Sequence, residues 1–252
     1  MCDNCGCNIT PGNRHLTQAT EAVEVLQGLL AENDHQALHN REHFDSHGVL
    51  AINLMSSPGA GKTALLEATI AELKDRYRIA VIEGDLESEN DAERIRAQGV
   101  TAIQITTGSA CHLDAHMVHD ALHQLKLDDI DLLFIENVGN LVCPAGFDLG
   151  QHANVTLLST TEGDDKPAKY PLIFRVADLV LLSKSDLLPV LDDFDPSKAE
   201  SHLRNLASEA PLLSLSARKG QGLEAWFEWL DRQADQTKFR SVSEHHHHHS
   251  HG

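Results

Sequence analysis

Short apolar runs dominate the chain after residue 48, and they alternate with segments in which apolar residues recur at helical spacing. This alternation is typical of a parallel sheet covered by helices, because strands buried on both faces consist almost entirely of apolar residues. The runs lie at 49–55, 79–82, 100–105, 132–135, 155–158, 179–182 and 212–215. We therefore predict an α/β fold with a mostly parallel sheet of about seven strands flanked by helices.

The segment before the first run has helical spacing throughout. Its apolar residues recur at intervals of three and four, at Ala19, Val23, Leu26 and Leu30. This spacing predicts a long amphipathic helix or a helix pair over 16–48, ahead of a domain at 49–238. The turn sequence Pro11-Gly12-Asn13 separates the helical segment from a Cys-rich head at 1–15. We expect the head and a polar His-rich tail at 239–252 to be disordered.

The net negative charge of the chain excludes two classes of binding partner. The 252 residues carry 20 Lys and Arg against 38 Asp and Glu, a formal net charge of -18, so nucleic acid and anionic membranes would be repelled. No run approaches the roughly 18 apolar residues of a membrane helix, and the first residues lack the apolar core of a signal peptide. We predict a cytoplasmic protein with neither a nucleic-acid nor a membrane partner.

A phosphate-binding loop follows the first predicted strand. The sequence Ser56-Ser57-Pro58-Gly59-Ala60-Gly61-Lys62-Thr63 matches the P-loop pattern, except that Ser56 occupies the position of the usual first glycine. In such a loop backbone N–H groups bind phosphate oxygens, Lys62 would reach the β and γ phosphates, and Thr63 would ligate Mg²⁺. The predicted triphosphate-binding residues are Gly59, Ala60, Gly61, Lys62, Thr63 and Ala64.

The segment after the sixth predicted strand bears on the choice of base. Ser183-Lys184-Ser185-Asp186 is similar to the guanine-specificity motif Asn-Lys-x-Asp, with Ser in place of Asn. Asp186 would accept both guanine N–H donors and Lys184 would lie along the base, although an ordinary surface loop can match such a short motif by chance. Ser216 and Ala217, after the last strand, resemble the second base-contacting loop of GTPases. We predict that the nucleotide is GTP.

Two further strand ends carry candidate catalytic groups. Glu136-Asn137-Val138-Gly139 stands where GTPases have Asp-x-x-Gly, which would place Glu136 near Mg²⁺ and the Gly139 N–H near the γ-phosphate. Asp85, after the second strand, is expected near the metal or the attacking water. Asn140 stands beside Gly139 in place of a water-orienting Gln, so we expect slow intrinsic hydrolysis.

The cysteines suggest two transition-metal sites. Five is an odd number, and Cys2, Cys5 and Cys7 crowd into the head, which suits metal thiolates better than disulfides. These thiolates could hold Ni²⁺ in a plane or Zn²⁺ in a tetrahedron, and the sequence does not choose between them. The second candidate site is Cys111, His112 and Cys143. Because Cys143 lies four residues after Gly139, a metal bound there would sense the nucleotide state, although the three residues could also be a coincidence.

Histidine is abundant, with 17 residues, and two series have helical spacing. The first comprises His35, His39, His43 and His47, and the second His112, His116, His119 and His123. Neighbouring members of each series would lie on one face of a helix, where a pair could bind a metal. A polar helix face that happens to carry histidines is an equally good interpretation.

Together these residues resemble the hydrogenase nickel-incorporation GTPases, the HypB family. The resemblance rests on the Cys-x-x-Cys-Gly-Cys head, His39-Asn40-Arg41, the segments 53–59 and 136–140, and Cys111-His112 with Cys143. It implies a SIMIBI-type P-loop GTPase that drives nickel insertion into the [NiFe]-hydrogenase large subunit. The head would be the tight nickel site, and the second site would hold nickel or zinc at a nucleotide-dependent homodimer interface. The implied partners are a HypA-type accessory protein and the large-subunit precursor.

Two alternatives belong to other classes of protein. A nickel storage protein with a vestigial P-loop domain would explain the histidines and the imperfect motifs. A small-molecule kinase would need an arginine-rich lid over the transferring phosphoryl group, and the sequence has no such cluster. GTP hydrolysis measured with and without Ni²⁺ distinguishes the GTPase from the storage protein.

Overall fold

The computed structural model describes residues 20–85, 90–206 and 208–247. Within these residues, seven strands form one parallel sheet: β1 (Leu50–Ser56), β2 (Ile79–Asp85), β3 (Thr101–Thr106), β4 (Leu132–Glu136), β5 (Ala153–Ser159), β6 (Leu179–Ser183) and β7 (Leu212–Ser214). The helices are α1 (Thr20–His47), α2 (Lys62–Leu73), α3 (Asn90–Arg96), α4 (Ala115–Leu122), α5 (Lys166–Lys169), α6 (Pro171–Arg175), α7 (Pro196–Asn205) and α8 (Leu223–His247). The predicted α/β class and the number of strands are confirmed.

The strand order β3-β2-β4-β1-β5-β6-β7 determines where a ligand can bind. Strand β1 lies in the middle, with β4 on one side and β5 on the other. In open parallel sheets, ligands bind beyond the carboxyl ends of the strands, at the point where the strand order reverses. Here the chain leaves β1 into the predicted P-loop, with the ends of β2 and β4 beside it.

Helix α1 is a single helix, which resolves the choice between one helix and a pair. Its buried face continues the apolar spacing of the sequence and includes Asn33, Ala37, Asn40 and Phe44. Two of these four buried positions are thus asparagines. Asn33 Oδ1 accepts a hydrogen bond from the Ala115 N–H at 2.9 Å, and Asn33 Nδ2 donates to the Asp148 carbonyl at 2.9 Å. Asn40 Nδ2 donates to the Ala115 carbonyl at 2.8 Å. These bonds fix α1 against the start of α4.

The structure describes part of the predicted His-rich tail and none of the Cys-rich head. The expectation of disorder at 239–252 is wrong for 239–247, because α8 continues to His247. The physical reason is that adding a residue to an existing helix costs little free energy compared with starting one. In addition, no Gly or Pro interrupts 223–250. Residues 248–252 and the Cys-rich head lie outside the described residues.

No helix in the described ranges combines the length and the apolar composition that crossing a lipid bilayer requires.

Candidate functional site

The loop between β1 and α2 has the backbone conformation of a phosphate cradle. Gly59 (φ 74°) and Gly61 (φ 105°) adopt the left-handed region, which side chains disfavour, and α2 begins directly afterwards at Lys62. The loop borders a cavity of about 410 Å³ at the carboxyl ends of β1, β2 and β4. Four of the residues predicted to act on the phosphates or on water line this cavity: Lys62, Asp85, Glu136 and Gly139.

Lys62 is held in place by groups around the loop. Its side chain is only 8% exposed, and Nζ donates a hydrogen bond to Ser56 Oγ at 3.1 Å and lies 3.9 Å from Glu136 Oε1. Ser56 Oγ in turn donates to the Ser57 carbonyl at 2.7 Å. The serine that replaces the usual first glycine thus orients the lysine toward the cavity.

Carboxylates from neighbouring strands meet beside Lys62. Glu83 in β2 and Glu136 in β4 are direct partners in the sheet register, and both are buried. Burial and, after it, the charge of Glu136 together raise the pKa of Glu83 to about 10. Burial also raises the pKa of Glu136, while Lys62 opposes that rise. Two buried carboxylates this close require a proton or a cation between them.

The donors around Glu136 fit a divalent cation. Glu136 Oε1 accepts a hydrogen bond from Thr63 Oγ1 at 3.0 Å, and one ligand atom each of Glu83, Asp91 and Glu136 lies within 4.8 Å of the others. Glu83 Oε2 and Glu136 Oε2 are buried and have no hydrogen-bond partner. Oxygen-only donors next to a phosphate cradle are the ligands that Mg²⁺ prefers. Sequence reasoning missed Glu83 and Asp91, although a glutamate inside the apolar strand β2 was a usable signal.

A second cavity, of about 320 Å³, lies on the other side of the P-loop, toward β6 and β7. Lys184, Asp186, Ser216 and Ala217 line it, as the base-binding prediction requires. Ser183 Oγ donates to the Ala60 carbonyl at 2.7 Å, and Lys184 Nζ donates to the Gly59 carbonyl at 2.7 Å. The segment that carries Asp186 is therefore attached directly to the phosphate loop.

The structure brings Cys111, His112 and Cys143 together. The two Sγ atoms lie 2.7 Å apart without a disulfide, His112 Nδ1 lies 3.8 Å from Cys111 Sγ, and the three ligand atoms fall within 4.8 Å of one another. The His112 ring stacks on Phe147 at 3.9 Å, and burial lowers the pKa of His112. Two sulfurs and a neutral imidazole are a donor set for Ni²⁺ or Zn²⁺, and a four-coordinate ion would need one further ligand.

Both segments that carry these cysteines are attached to the loop after β4. Asn137 Oδ1 accepts a hydrogen bond from the Leu113 N–H at 3.1 Å, two residues after Cys111. Asn140 Oδ1 accepts from the Val142 N–H at 2.7 Å and the Cys143 N–H at 3.3 Å. The structure thus links this loop to both sides of the cysteine pair.

The same loop contacts the P-loop. The Asn140 N–H donates to the Ser56 carbonyl at 2.8 Å. A Cβ atom on Gly139 would lie 2.8 Å from Pro58 Cα, so any larger residue would push the two loops apart. A movement of the loop after β4 at the phosphate site would therefore be transmitted to the cysteines through a few hydrogen bonds. Sequence reasoning considered Asn140 only as a replacement for a catalytic Gln and missed this position in the network.

Comparisons with known proteins agree with these features. A family model described as the CobW/HypB/UreG nucleotide-binding domain matches residues 50–214. A hydrogenase maturation factor HypB from Rhizobium leguminosarum bv. viciae is 51% identical over 219 residues, covering 87% of this chain and 73% of the relative. A probable hydrogenase maturation factor HypB from Methanocaldococcus jannaschii is 42% identical, covering 86% of this chain and 97% of the relative.

Solved structures give the same result. The crystal structure of HypB from Helicobacter pylori in complex with nickel superposes with a TM-score of 0.78 at 43% identity, covering 81% of this chain and 96% of that one. The crystal structure of the hydrogenase maturation factor HypB from Archaeoglobus fulgidus gives a TM-score of 0.76 at 41% identity, covering 81% of this chain and 100% of that one.

Proposed function

This chain belongs to the HypB family of hydrogenase maturation factors, and we propose that it is a nickel-binding GTPase. In this proposal, GTP hydrolysis drives nickel insertion into the large subunit of a [NiFe]-hydrogenase. The protein acts in the cytoplasm as a nucleotide-dependent homodimer. A HypA-type accessory protein and the large-subunit precursor are its partners.

The nucleotide part of the proposal rests on the two cavities beside the P-loop. The loop N–H groups and Lys62 bind the phosphates, and Asp186 with Lys184 selects guanine in the second cavity. Thr63, Glu136, Glu83 and Asp91 would hold Mg²⁺, which would neutralise charge on the phosphates. Asp85 borders the same cavity and is proposed to orient the attacking water. The Asn140 side chain, beside Gly139, accepts hydrogen bonds from the Val142 and Cys143 N–H groups. It therefore does not orient water as a Gln would, which favours slow hydrolysis.

The metal part rests on the cluster of Cys111, His112 and Cys143. The nickel complex of the Helicobacter pylori relative supports nickel as the cargo of this chain. Cys2, Cys5 and Cys7 are proposed as a second, tighter nickel site in the head. Zn²⁺ is the competing occupant of both sites, because thiolates and imidazoles are also zinc ligands.

One observation carries the coupling between the two parts: the loop after β4 bonds to the P-loop and to both cysteine-bearing segments. A γ-phosphate that draws Gly139 inward would move Asn137 and Asn140 with it. Those two side chains hold the backbone next to Cys111 and Cys143, so the sulfur positions would follow. Metal affinity would then depend on the nucleotide, which is what delivery requires and storage does not.

The proposal is tested by measuring GTP hydrolysis of the full chain with and without one equivalent of Ni²⁺. We expect slow hydrolysis of GTP that responds to Ni²⁺, and a loss of about 100- to 1000-fold in Lys62→Ala, because the ammonium stabilises the transferring phosphoryl group. Lys74→Ala, at the exposed residue directly after α2, is the matched control and should keep the wild-type rate. A wild-type chain with no GTP hydrolysis at either metal level would favour the storage protein.

A further inference from the structure

Helix α1 packs against α4 so that their two histidine series face each other. Three imidazoles converge at this contact: His39 and His43 from α1, and His119 from α4. Their ligand nitrogens all lie within 4.8 Å of one another. On the sequence alone each helix offered only a pair of its own histidines, whereas the packing joins ligands from two helices.

The ring positions describe a compact cluster. The His39 and His43 centroids are 4.6 Å apart, His39 and His119 are 5.1 Å apart, and His43 and His119 are 6.0 Å apart. His123 lies beside His119 at 4.7 Å, and His47 lies beside His43 at 6.4 Å. A cavity of about 490 Å³ opens next to His43 and His119, so a cation has access from solvent.

A buried side chain orients the α4 ligand. His119 Nδ1 lies 3.1 Å from Oδ1 of Asn40, which is fully buried and whose Nδ2 donates to the carbonyls of Ala115 and Leu149. The amide is thus held with its oxygen toward the imidazole, so His119 donates from Nδ1 and presents the lone pair of Nε2. A second ring nitrogen bonded in this way is the usual support of a histidine metal ligand.

The surroundings favour a cation over a proton. Burial and the neighbouring histidines lower the pKa of His43 and of His119, so both rings are neutral and available as ligands near pH 7. Asp128 and Asp129 line the adjacent cavity, opposed there by Lys126. Neutral imidazoles are ligands for borderline divalent ions, not for the Mg²⁺ or Ca²⁺ that carboxylates prefer.

We propose that His39, His43 and His119 form a binding site for a borderline divalent cation, Ni²⁺ or Zn²⁺, separate from both cysteine sites. Three protein nitrogens leave coordination positions open to water or to an incoming ligand, as in an exchangeable site. One of its ligands, His119, lies on α4, which begins three residues after His112.

The test uses the full chain with all five cysteines and the tail histidines replaced. In this background Cys2, Cys5, Cys7, Cys111 and Cys143 are changed to Ser, and the histidines at 245–249 and 251 are changed to Asn. Equilibrium dialysis is run separately with Ni²⁺ and with Zn²⁺. We expect one equivalent of at least one of the two ions to bind, and His119→Asn or His39→Asn to raise its Kd at least tenfold.

The matched control is His35→Asn, because His35 belongs to the same series on α1 but lies outside the cluster. It should leave the Kd unchanged. Equal weakening by His35→Asn and His119→Asn would mean scattered binding along the histidine series and would overturn the proposal, as would a background chain that binds neither ion. Circular dichroism checks folding of every variant. If the background does not fold, the same substitutions are made in the wild-type chain. His119→Asn or His39→Asn should then bind one equivalent of metal less than His35→Asn, and equal stoichiometry would overturn the site.

Discussion

Two serines that depart from the ordinary GTPase motifs have visible structural roles. Ser56 accepts a hydrogen bond from the Lys62 ammonium, and Ser183 donates to the Ala60 carbonyl of the P-loop. A larger Asn at position 183 is therefore not needed to attach the base-binding segment to the phosphate loop. At the scale of single residues, these substitutions are compatible with a working nucleotide site.

Guanine selection is the first consequence at this scale. Asp186→Asn should weaken GTP binding by about 10- to 150-fold, since a hydrogen bond to a charged group contributes about 1.5–3 kcal/mol. The same change should improve binding of xanthosine triphosphate, because an amide donates to the extra oxygen of xanthine where a carboxylate repels it. Competition binding with the two nucleotides measures both effects.

Asp192→Asn serves as the control for that substitution, because Asp192 is exposed on the following loop and loses the same charge. It should bind both nucleotides as the wild type does. Equal affinity of the wild type for ATP and GTP would contradict the assignment of Asp186.

At the scale of elements, two buried asparagines attach α1 to the domain by hydrogen bonds, beside the apolar packing of Phe44. Asn33 and Asn40 satisfy the backbone groups of Ala115, where α4 begins, and of the loop at 148–150. Gly150 (φ 90°) lets this loop approach closely, since a Cβ there would lie 2.5 Å from the Ala37 carbonyl. The position of α4, and with it the contact between the histidine series, depends on these bonds.

Removing one of these asparagines should therefore cost stability. Asn33→Ala leaves the Ala115 N–H and the Asp148 carbonyl without that partner, so we expect the free energy of unfolding to fall by about 1–3 kcal/mol. Leu38→Ala, on the exposed face of the same helix at 57% exposure, should change it by no more than about 0.5 kcal/mol. Urea denaturation of both variants is the measurement, and equal stabilities would contradict the role given to Asn33.

The loop after β4 yields a prediction about coupling. Asn140→Ala removes the acceptor that holds the Val142 and Cys143 N–H groups. The ratio of Ni²⁺ affinities between GDP and GTP states should then shrink toward one. Asn140→Asp keeps the acceptor oxygen and should preserve most of the ratio, even if its charge strengthens nickel binding in both states. A ratio unchanged in Asn140→Ala would show that the signal takes another route.

At the scale of the whole molecule, sequence patterns predicted those features that are determined by residues adjacent in the chain. The apolar runs gave the strands, and the P-loop spacing gave the phosphate cradle, because both are fixed by neighbouring residues. Asn33 and the contact of His119 with His39 were not predicted, since each depends on residues far apart in the chain. Glu83 was missed although the sequence shows a glutamate among apolar residues, because its role depends on pairing with Glu136 in the neighbouring strand. The end of α8 was misjudged because composition favoured disorder while helix propagation favoured continuation.

The central claim is that nucleotide and metal sites are coupled through the loop after β4. The most direct test is a Ni²⁺ titration of a full chain in which Cys2, Cys5 and Cys7, the histidines of the tail and His119 are replaced, so that Cys111, His112 and Cys143 remain. It is run once with GDP and once with a non-hydrolysable GTP analogue. We predict that the two affinities differ by about 5- to 150-fold, and that Ni²⁺ changes nucleotide affinity by the same factor. Superimposable isotherms would contradict the account.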